Sequence, residues 1–236
     1  MKVSIDDVVL PGDYCEDIVN AGEKSKVILG PGLRKEIDKV YITKSGVLRK
    51  RAPNTYWVDS YQKRYVPSRA ENVIGVVVQK AGDTFRVDVG GSCTATLSYL
   101  SFEGATKKNR PEVQVGDVLY AKMLIASKDM EPELVCVDSH GKKGRLGVLN
   151  DGFVFKCSLN LVRKVLSPNC PLLNSLKNEW PFELAVGMNG RIWIKAKTMR
   201  ETIAVGNAIL GCEYLSDSEI KSMCTNIASL LAGHVS

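Results

Sequence analysis

The chain has 236 residues, of which 44% are hydrophobic and 25% are charged, as in an ordinary globular protein. No apolar run approaches the ~20 residues of a membrane span, and the N-terminal stretch turns acidic too early for a signal peptide, so we expect no membrane association. The seven cysteines are scattered and only two histidines are present, which argues against a disulfide framework or a zinc site. This pattern indicates a reducing intracellular compartment.

The net charge of +6 is divided as +3 over residues 1–66, −1 over 67–142 and +4 over 143–236. A mildly basic chain is compatible with nucleic-acid contact, and equally with an ordinary solvated surface. These three segments are also the predicted domains.

Residues 1–66 predict a small β module, because short strand patterns alternate with glycine and proline turns. The strands are expected at 26–29, 39–43, 46–49, 56–59 and 64–66. Four aromatic residues lie near the C-terminal end of this module: Tyr56, Trp57, Tyr61 and Tyr65. We interpret them as a docking surface between modules rather than as base-stacking residues.

Residues 67–142 predict a five-stranded barrel of the oligonucleotide-binding type. Its first two strands, 73–78 and 84–89, form a hairpin around Gly82. Strict alternation in the second strand places Phe85 on the apolar, inward face. The remaining strands are expected at 94–97, 118–126 and 134–138.

Residues 143–236 predict an α+β domain with the order β-α-α-β-β-α, followed by a last helix. Ser167-Pro168 ends the first helix, and Asn189-Gly190 joins two strands in a tight hairpin. Ser216 and Glu219 form a capping-box pattern at the last helix. The elements are expected at 152–158, 159–166, 171–178, 182–186, 191–196, 198–212 and 216–231.

The second domain resembles an S1-type RNA-binding domain, the third resembles a KH domain, and the whole chain resembles the ribosomal RNA-processing protein 40 family, also called exosome component 3. The strings that carry the likeness are KRYVP at 63–67, VDVGG at 87–91, LSYLSFEGATKKNRP at 97–111, KDMEPE at 128–133 and GMNGRIWIKAKT at 187–198.

The resemblance implies a non-catalytic cap subunit of the eukaryotic RNA exosome, without a cofactor, in the nucleus, nucleolus and cytoplasm. Such a subunit sits with two other cap proteins on a ring of ribonuclease-PH-like subunits. It stabilises the ring and guides single-stranded RNA to a 3'-5' exonuclease, in RNA decay and in rRNA maturation. The alternatives are a stand-alone RNA-binding module and an RNA-modifying enzyme.

Two departures from the typical domains change the expected RNA contacts. Where S1 domains carry an exposed aromatic residue and a histidine, this chain has Arg86 and Thr96. We therefore consider Arg86 either an RNA contact or an ordinary surface charge. The Gly-x-x-Gly pattern from Gly187 to Gly190 lies in the predicted hairpin rather than between helices. We interpret Gly187, Asn189 and Gly190 as a structural turn, which the resemblance links to packing against the S1 domain.

The densest cationic run of the barrel is Lys107-Lys108-Asn109-Arg110. A cationic loop beside an oligonucleotide-binding face contacts phosphates without reading sequence, although a solvated loop is the alternative. Tyr99 and Phe102 flank the loop as possible stacking residues, and we expect at least one of them in the core. The predicted RNA-binding residues are Arg86, Lys107, Lys108, Arg110 and Tyr99.

No pattern supports a catalytic site or a metal site. Neither His140 nor His234 lies in a nucleophile pattern, and the acidic residues lack the clustering that a two-metal nuclease needs. These acidic residues are Asp6, Asp7, Asp83 and Asp88. The basic run at 49–51 is a separate candidate contact, either for RNA or for an acidic partner.

Overall fold

The computed structural model describes residues 4–15, 18, 26–37, 39–127, 129–168 and 170–232. The chain divides into two compact units, residues 1–62 and residues 63–236, which are described separately. His234 and Asn169 lie outside the described residues.

The first unit is a small β module. A four-stranded sheet has the order β1-β5-β6-β2, and β3 and β4 form a separate hairpin. Its core contains Val9, Ile42 and Leu48. The predicted strand at 64–66 is wrong, because these residues are not in a strand, while β1 and β3 were not predicted. The strands are β1 (Val8–Val9), β2 (Ile28–Leu29), β3 (Leu33–Glu36), β4 (Lys39–Ile42), β5 (Gly46–Arg51) and β6 (Thr55–Asp59).

The second unit begins with the predicted five-stranded barrel. Strands β9, β8, β7 and β10 are neighbours in that order, and β11 pairs with both β9 and β10, which closes the barrel. A further strand, β12, pairs with β10 and lies after the predicted boundary at residue 142. The strands are β7 (Asn72–Ala81), β8 (Thr84–Asp88), β9 (Ala95–Ser98), β10 (Val118–Ile125), β11 (Glu133–Val135) and β12 (Gly147–Leu149).

The hairpin of β7 and β8 turns at Gly82, whose φ of +57° is readily adopted by glycine. A bulge between Val77 and Gln79 interrupts its register. Phe85 is buried in the barrel core, as the alternation predicted. The inward face of the hairpin is therefore apolar core, and only its outward face remains for contacts.

The aromatic cluster predicted as one docking surface is divided between two cores. Tyr56 is buried in the first unit, whereas Tyr65 is buried in the barrel. The Tyr65 hydroxyl donates a 2.9 Å hydrogen bond to Glu71. Burial, and then the Glu71 carboxylate, raise the pKa of this hydroxyl. These two rings therefore contribute to stability within their own units.

The C-terminal domain has the predicted α+β order. Its sheet has the order β13-β15-β14, and helices cover one face around Val162, Ile192 and Ile209. The elements are β13 (Phe153–Lys156), α1 (Leu159–Leu166), α2 (Leu172–Glu179), β14 (Phe182–Gly187), β15 (Arg191–Ala196), α3 (Met199–Gly211) and α4 (Asp217–Ala232). None of the helices in the described part of the chain is both long and apolar enough to span a membrane.

Side-chain caps fix where these helices begin. The Ser158 hydroxyl accepts a hydrogen bond from Leu161 N at the start of α1. Thr198 and Glu201 form a reciprocal capping box at α3. At α4, the Ser216 N–H donates to the Glu219 carboxylate at 2.7 Å, which agrees with the predicted cap.

Candidate nucleic-acid interface

The basic loop that follows β9 is held by its own hydrogen bonds. Thr106 N donates to Asn109 O at 2.9 Å, and the Asn109 amide donates to Gly104 O at 3.3 Å. Lys107 and Lys108 are exposed, and no acidic group of the described chain lies within salt-bridge distance of either ammonium. An ordered loop therefore presents two unneutralised cations to solvent, which suits contact with a phosphate backbone.

Arg110 differs from the two lysines because it is engaged within the protein. Its Nη2 lies 3.0 Å from an Asp83 carboxylate oxygen, and its guanidinium carbon lies 4.8 Å from the centre of the Tyr99 ring. Asp83 stands at the turn between β7 and β8, so Arg110 connects the end of the basic loop to the hairpin. Its side chain is still 54% exposed, so the predicted role of Arg110 in RNA binding stays a prediction.

Tyr99 does not have the exposure that base stacking requires. Its residue surface is 5% exposed, and Arg110 lies over its ring. Phe102 packs edge-on against Phe85, with ring centres 6.3 Å apart. The structure therefore corrects the prediction of Tyr99 as an RNA-stacking residue: burial in the barrel core covers the ring. The expectation that at least one of Tyr99 and Phe102 is in the core is confirmed.

Arg86 lies on the outward face of β8, as its phase predicted, but it is paired. Its Nη1 lies 2.6 Å from a Glu131 carboxylate oxygen, and the Thr96 hydroxyl donates to the same oxygen at 3.3 Å. Arg86 and Thr96 are direct partners across β8 and β9. The carboxylate neutralises much of the charge that Arg86 would offer to a phosphate. Its role in RNA binding stays a prediction.

The Gly187–Gly190 turn joins β14 to β15 and packs against the barrel. Asn189 is 8% exposed, and its amide donates to Ile74 O at 2.7 Å and to Val89 O at 2.8 Å. Ile74 N donates back to the Asn189 side-chain oxygen at 3.2 Å. The asparagine side chain thus bonds like a peptide group between strand β7 and the residue that follows β8, which agrees with a structural turn.

The two glycines of this turn allow the close approach. Gly190 has a φ of +75°, and a Cβ atom there would lie 2.7 Å from Cys157 O. A Cβ atom at Gly187 would lie 2.7 Å from Ile74 N and would clash with the Asn189 side chain. Backbone conformation and contact distance therefore both require glycine here, so the motif is explained without a nucleic-acid ligand.

A second contact between the barrel and the KH-like domain was missed by sequence reasoning. Arg191 is buried, and its Nη2 and Nη1 atoms each lie 2.6 Å from Asp88, on a carboxylate oxygen and on the backbone oxygen. Burial opposes ionisation of Asp88, but the Arg191 hydrogen bond and the Gly90 N–H outweigh it and lower the pKa of this carboxyl. The available signal was the arginine that begins this strand, directly before the apolar residues Ile192, Trp193 and Ile194.

The other candidate residues are dispersed. Asp6 pairs with Arg49 at 2.6 Å, and His140 lies in an exposed turn after β11. Within the described ranges, no three His, Cys, Asp or Glu residues are grouped to hold a metal ion. Asp83 and Asp88 each pair with an arginine, rather than with one another.

Family models match along most of the chain. Residues 7–61 match the N-terminal region of mammalian exosome complex component RRP40, residues 65–147 match the RRP40 S1 domain, and residues 152–200 match a KH domain. A solved structure titled as a putative exosome complex RNA-binding protein has a TM-score of 0.59 at 22% identity, covering 71% of this chain and 98% of that one. This likeness concerns the fold alone.

Relatives named as exosome complex components match most of this chain. Exosome complex component RRP40 of Drosophila melanogaster is 52% identical, covering 95% of this chain and 97% of the relative. The Homo sapiens protein of that name is 48% identical, covering 88% of this chain and 78% of the relative. Exosome complex component Rrp4 of Pyrococcus furiosus is 27% identical over 86% of this chain and 76% of that protein. The chain therefore belongs to the RRP40 family of exosome complex components.

Proposed function

We propose that this protein is a non-catalytic, RNA-binding cap subunit of the RNA exosome. The observation that carries the proposal is the ordered basic loop on the S1 barrel, which presents Lys107 and Lys108 to solvent in a chain of the RRP40 family. The loop supplies attraction to any RNA backbone, as a subunit that handles many transcripts requires.

The contact is electrostatic rather than base-specific. Tyr99 and Phe85 are buried in the barrel, and Arg86 is paired with Glu131. Phosphate contacts position a nucleic acid without reading its sequence, whereas stacking platforms need exposed rings. The barrel therefore acts as a charged guide for single-stranded RNA on its way to a 3'-5' exonuclease.

The finer parts of the proposal concern identity, partners and place. We propose that the protein is the exosome component 3 of its organism, that it contacts ribonuclease-PH-like ring subunits and the other cap subunits, and that it works in the nucleus, nucleolus and cytoplasm. Family membership and the S1 and KH domains support this assignment. The β module of residues 1–62 is a separate compact unit and can provide a contact of its own with the ring.

The experiment is purification of the tagged full-length chain from cells, with its partners identified by mass spectrometry and its size by gel filtration. The expected result is co-elution of the chain with ring subunits in a complex far larger than the 25.9 kDa monomer. Recovery of the chain as a free monomer that still binds RNA would instead support a stand-alone RNA-binding module. RNA decay by the purified chain alone would support an enzyme.

A further inference from the structure

An exposed apolar surface lies at one edge of the KH-like domain, outside the RNA contacts described above. Phe153 of β13 is 56% exposed, and Met199 and Ile203 of α3 are 80% and 53% exposed. We call these three residues with β13 the β13–α3 surface. Side chains this apolar are usual at interfaces, and contiguous exposed patches of this kind mark interaction sites.

The two elements are neighbours in space. Phe153 stacks on Phe155 with ring centres 6.2 Å apart, and Phe155 lies 3.8 Å from the Cβ position of Gly206 in α3. Ala196 N donates to the Thr202 hydroxyl at 3.3 Å, which holds the first turn of α3 near the end of β15. Since Phe153 is opposite Ile194 in the sheet, it lies at the same end as this first turn.

Strand β13 also has an open edge. It pairs with β15 on one side, and none of the described residues pairs with it on the other. Cys157 N donates to Gly190 O, so residue 157 faces β15 with its backbone hydrogen-bonding groups. In an antiparallel pair every second residue does so, which makes Phe155 and Phe153 the next such positions in β13. The N–H and C=O groups of Val154 and Lys156 therefore point away from β15. These groups can bind an added strand.

The charges around the surface are mostly positive. Lys156, Lys197 and Arg200 are exposed, and no carboxylate of the described chain lies within salt-bridge distance of them. Lys195 lies 3.5 Å from Asp151, and Glu201 is engaged in the capping box of α3. A second copy of this chain would bring two such cationic rims together, which opposes self-association.

We infer that the β13–α3 surface binds an acidic segment of a partner protein, which adds as an extended strand to the free edge of β13. Apolar side chains of the segment pack on Phe153, Met199 and Ile203, and its carboxylates lie near the rim of lysines and arginine. RNA would not use the outward N–H and C=O groups in the same way, and Phe153 is the one ring among the three exposed side chains of the surface, so a run of stacked bases has no platform here. The inference is independent of the RNA path on the barrel.

The test uses a photo-crosslinking amino acid at position 203 of the full-length chain in cells, followed by sequencing of the crosslinked peptide. The expected product joins position 203 to a peptide of another protein that has an excess of Asp and Glu. A crosslink to RNA, to a second copy of this chain, or to a peptide without that excess would overturn the inference, and so would the absence of a crosslink.

Two variants at one position separate strand addition from charge. Lys156→Pro and Lys156→Ala both remove the ammonium group, but only proline removes the outward N–H, and proline is tolerated on an edge strand. We expect Lys156→Pro to lower the crosslink yield about fivefold relative to Lys156→Ala, the effect of one lost hydrogen bond. Equal yields from the two folded variants would contradict strand addition.

A third variant keeps the test valid if proline prevents folding. Lys197→Glu with Arg200→Glu reverses the rim charge while leaving β13 unchanged, and position 200 lies in the first turn of α3, where glutamate is favourable. The double variant should also lower the crosslink yield severalfold, and an unchanged yield would exclude an acidic partner. RNA capture through Lys107 and Lys108 should persist in all these variants.

Discussion

The basic loop of the S1 barrel and the Gly187–Gly190 turn of the KH-like domain both carry sequence features associated with nucleic-acid binding, but the structure uses them differently. Lys107 and Lys108 are exposed on an ordered loop. Asn189, in contrast, is buried against the barrel with three hydrogen bonds. The difference shows that a motif indicates a ligand only when its polar groups remain available to one.

The largest expected effect comes from adding a methyl group to the turn. Gly190→Ala should destabilise the protein by about 3 kcal/mol, because it combines a positive φ with a Cβ atom placed 2.7 Å from Cys157 O. Gly82→Ala is the matched control, since Gly82 also has a positive φ but no atom within 4 Å of its Cβ position. That variant should lose about 1 kcal/mol. Chemical denaturation measures both, and equal losses would remove the close-packing argument.

A slightly smaller effect is expected from the asparagine of the same turn. Asn189→Ala leaves Ile74 O, Val89 O and Ile74 N without their partner inside the interface, which should cost about 2 kcal/mol. Asn207→Ala on the exposed face of α3 is the control and should be nearly neutral. RNA capture by the assembled complex should be normal in both variants once folded. A specific loss of RNA binding in Asn189→Ala would return the turn to the RNA-binding surface.

The contact between Asp88 and Arg191 should add a pH dependence to stability. Because the pKa of Asp88 is lowered in the folded state, its contribution is present above the ordinary aspartate range and is lost as the pH falls through the folded-state pKa. Asp88→Asn should therefore be less stable than wild type at pH 7, with a difference that shrinks toward pH 3. Urea denaturation at several pH values measures this difference, and a constant difference would contradict an ionic contribution.

The sequence predicted the barrel and the order of strands and helices in the KH-like domain, because strand alternation, helix caps and turn residues are signals between neighbouring residues. The phase of its strand places Phe85 in the core, and the Asn189-Gly190 pair predicts a tight hairpin; both predictions agree with the structure. Tyr99 follows the last residue of β9 in a short 3-10 turn, where strand alternation no longer predicts the direction of a side chain.

Partners distant in sequence could not be predicted in this way. Glu131 neutralises Arg86 from 45 residues away, and Arg191 reaches Asp88 across 103 residues. A pattern that identifies an exposed position does not reveal which residue faces it after folding. The pairing of β12 with β10 was missed for the same reason, since its three residues carry too short a pattern to identify a strand.

The smallest change and the most direct test concern the two lysines. The measurement is the salt dependence of RNA capture by the assembled complex, comparing wild type with Lys107→Ala plus Lys108→Ala. Each phosphate contact with single-stranded RNA contributes about 0.7 to the slope of log affinity against log salt. Loss of two contacts should therefore make this slope shallower by about 1.4. Arg110→Ala is the comparison, because Arg110 is already paired with Asp83. An unchanged slope in the double variant would contradict the basic loop as the RNA guide of this subunit.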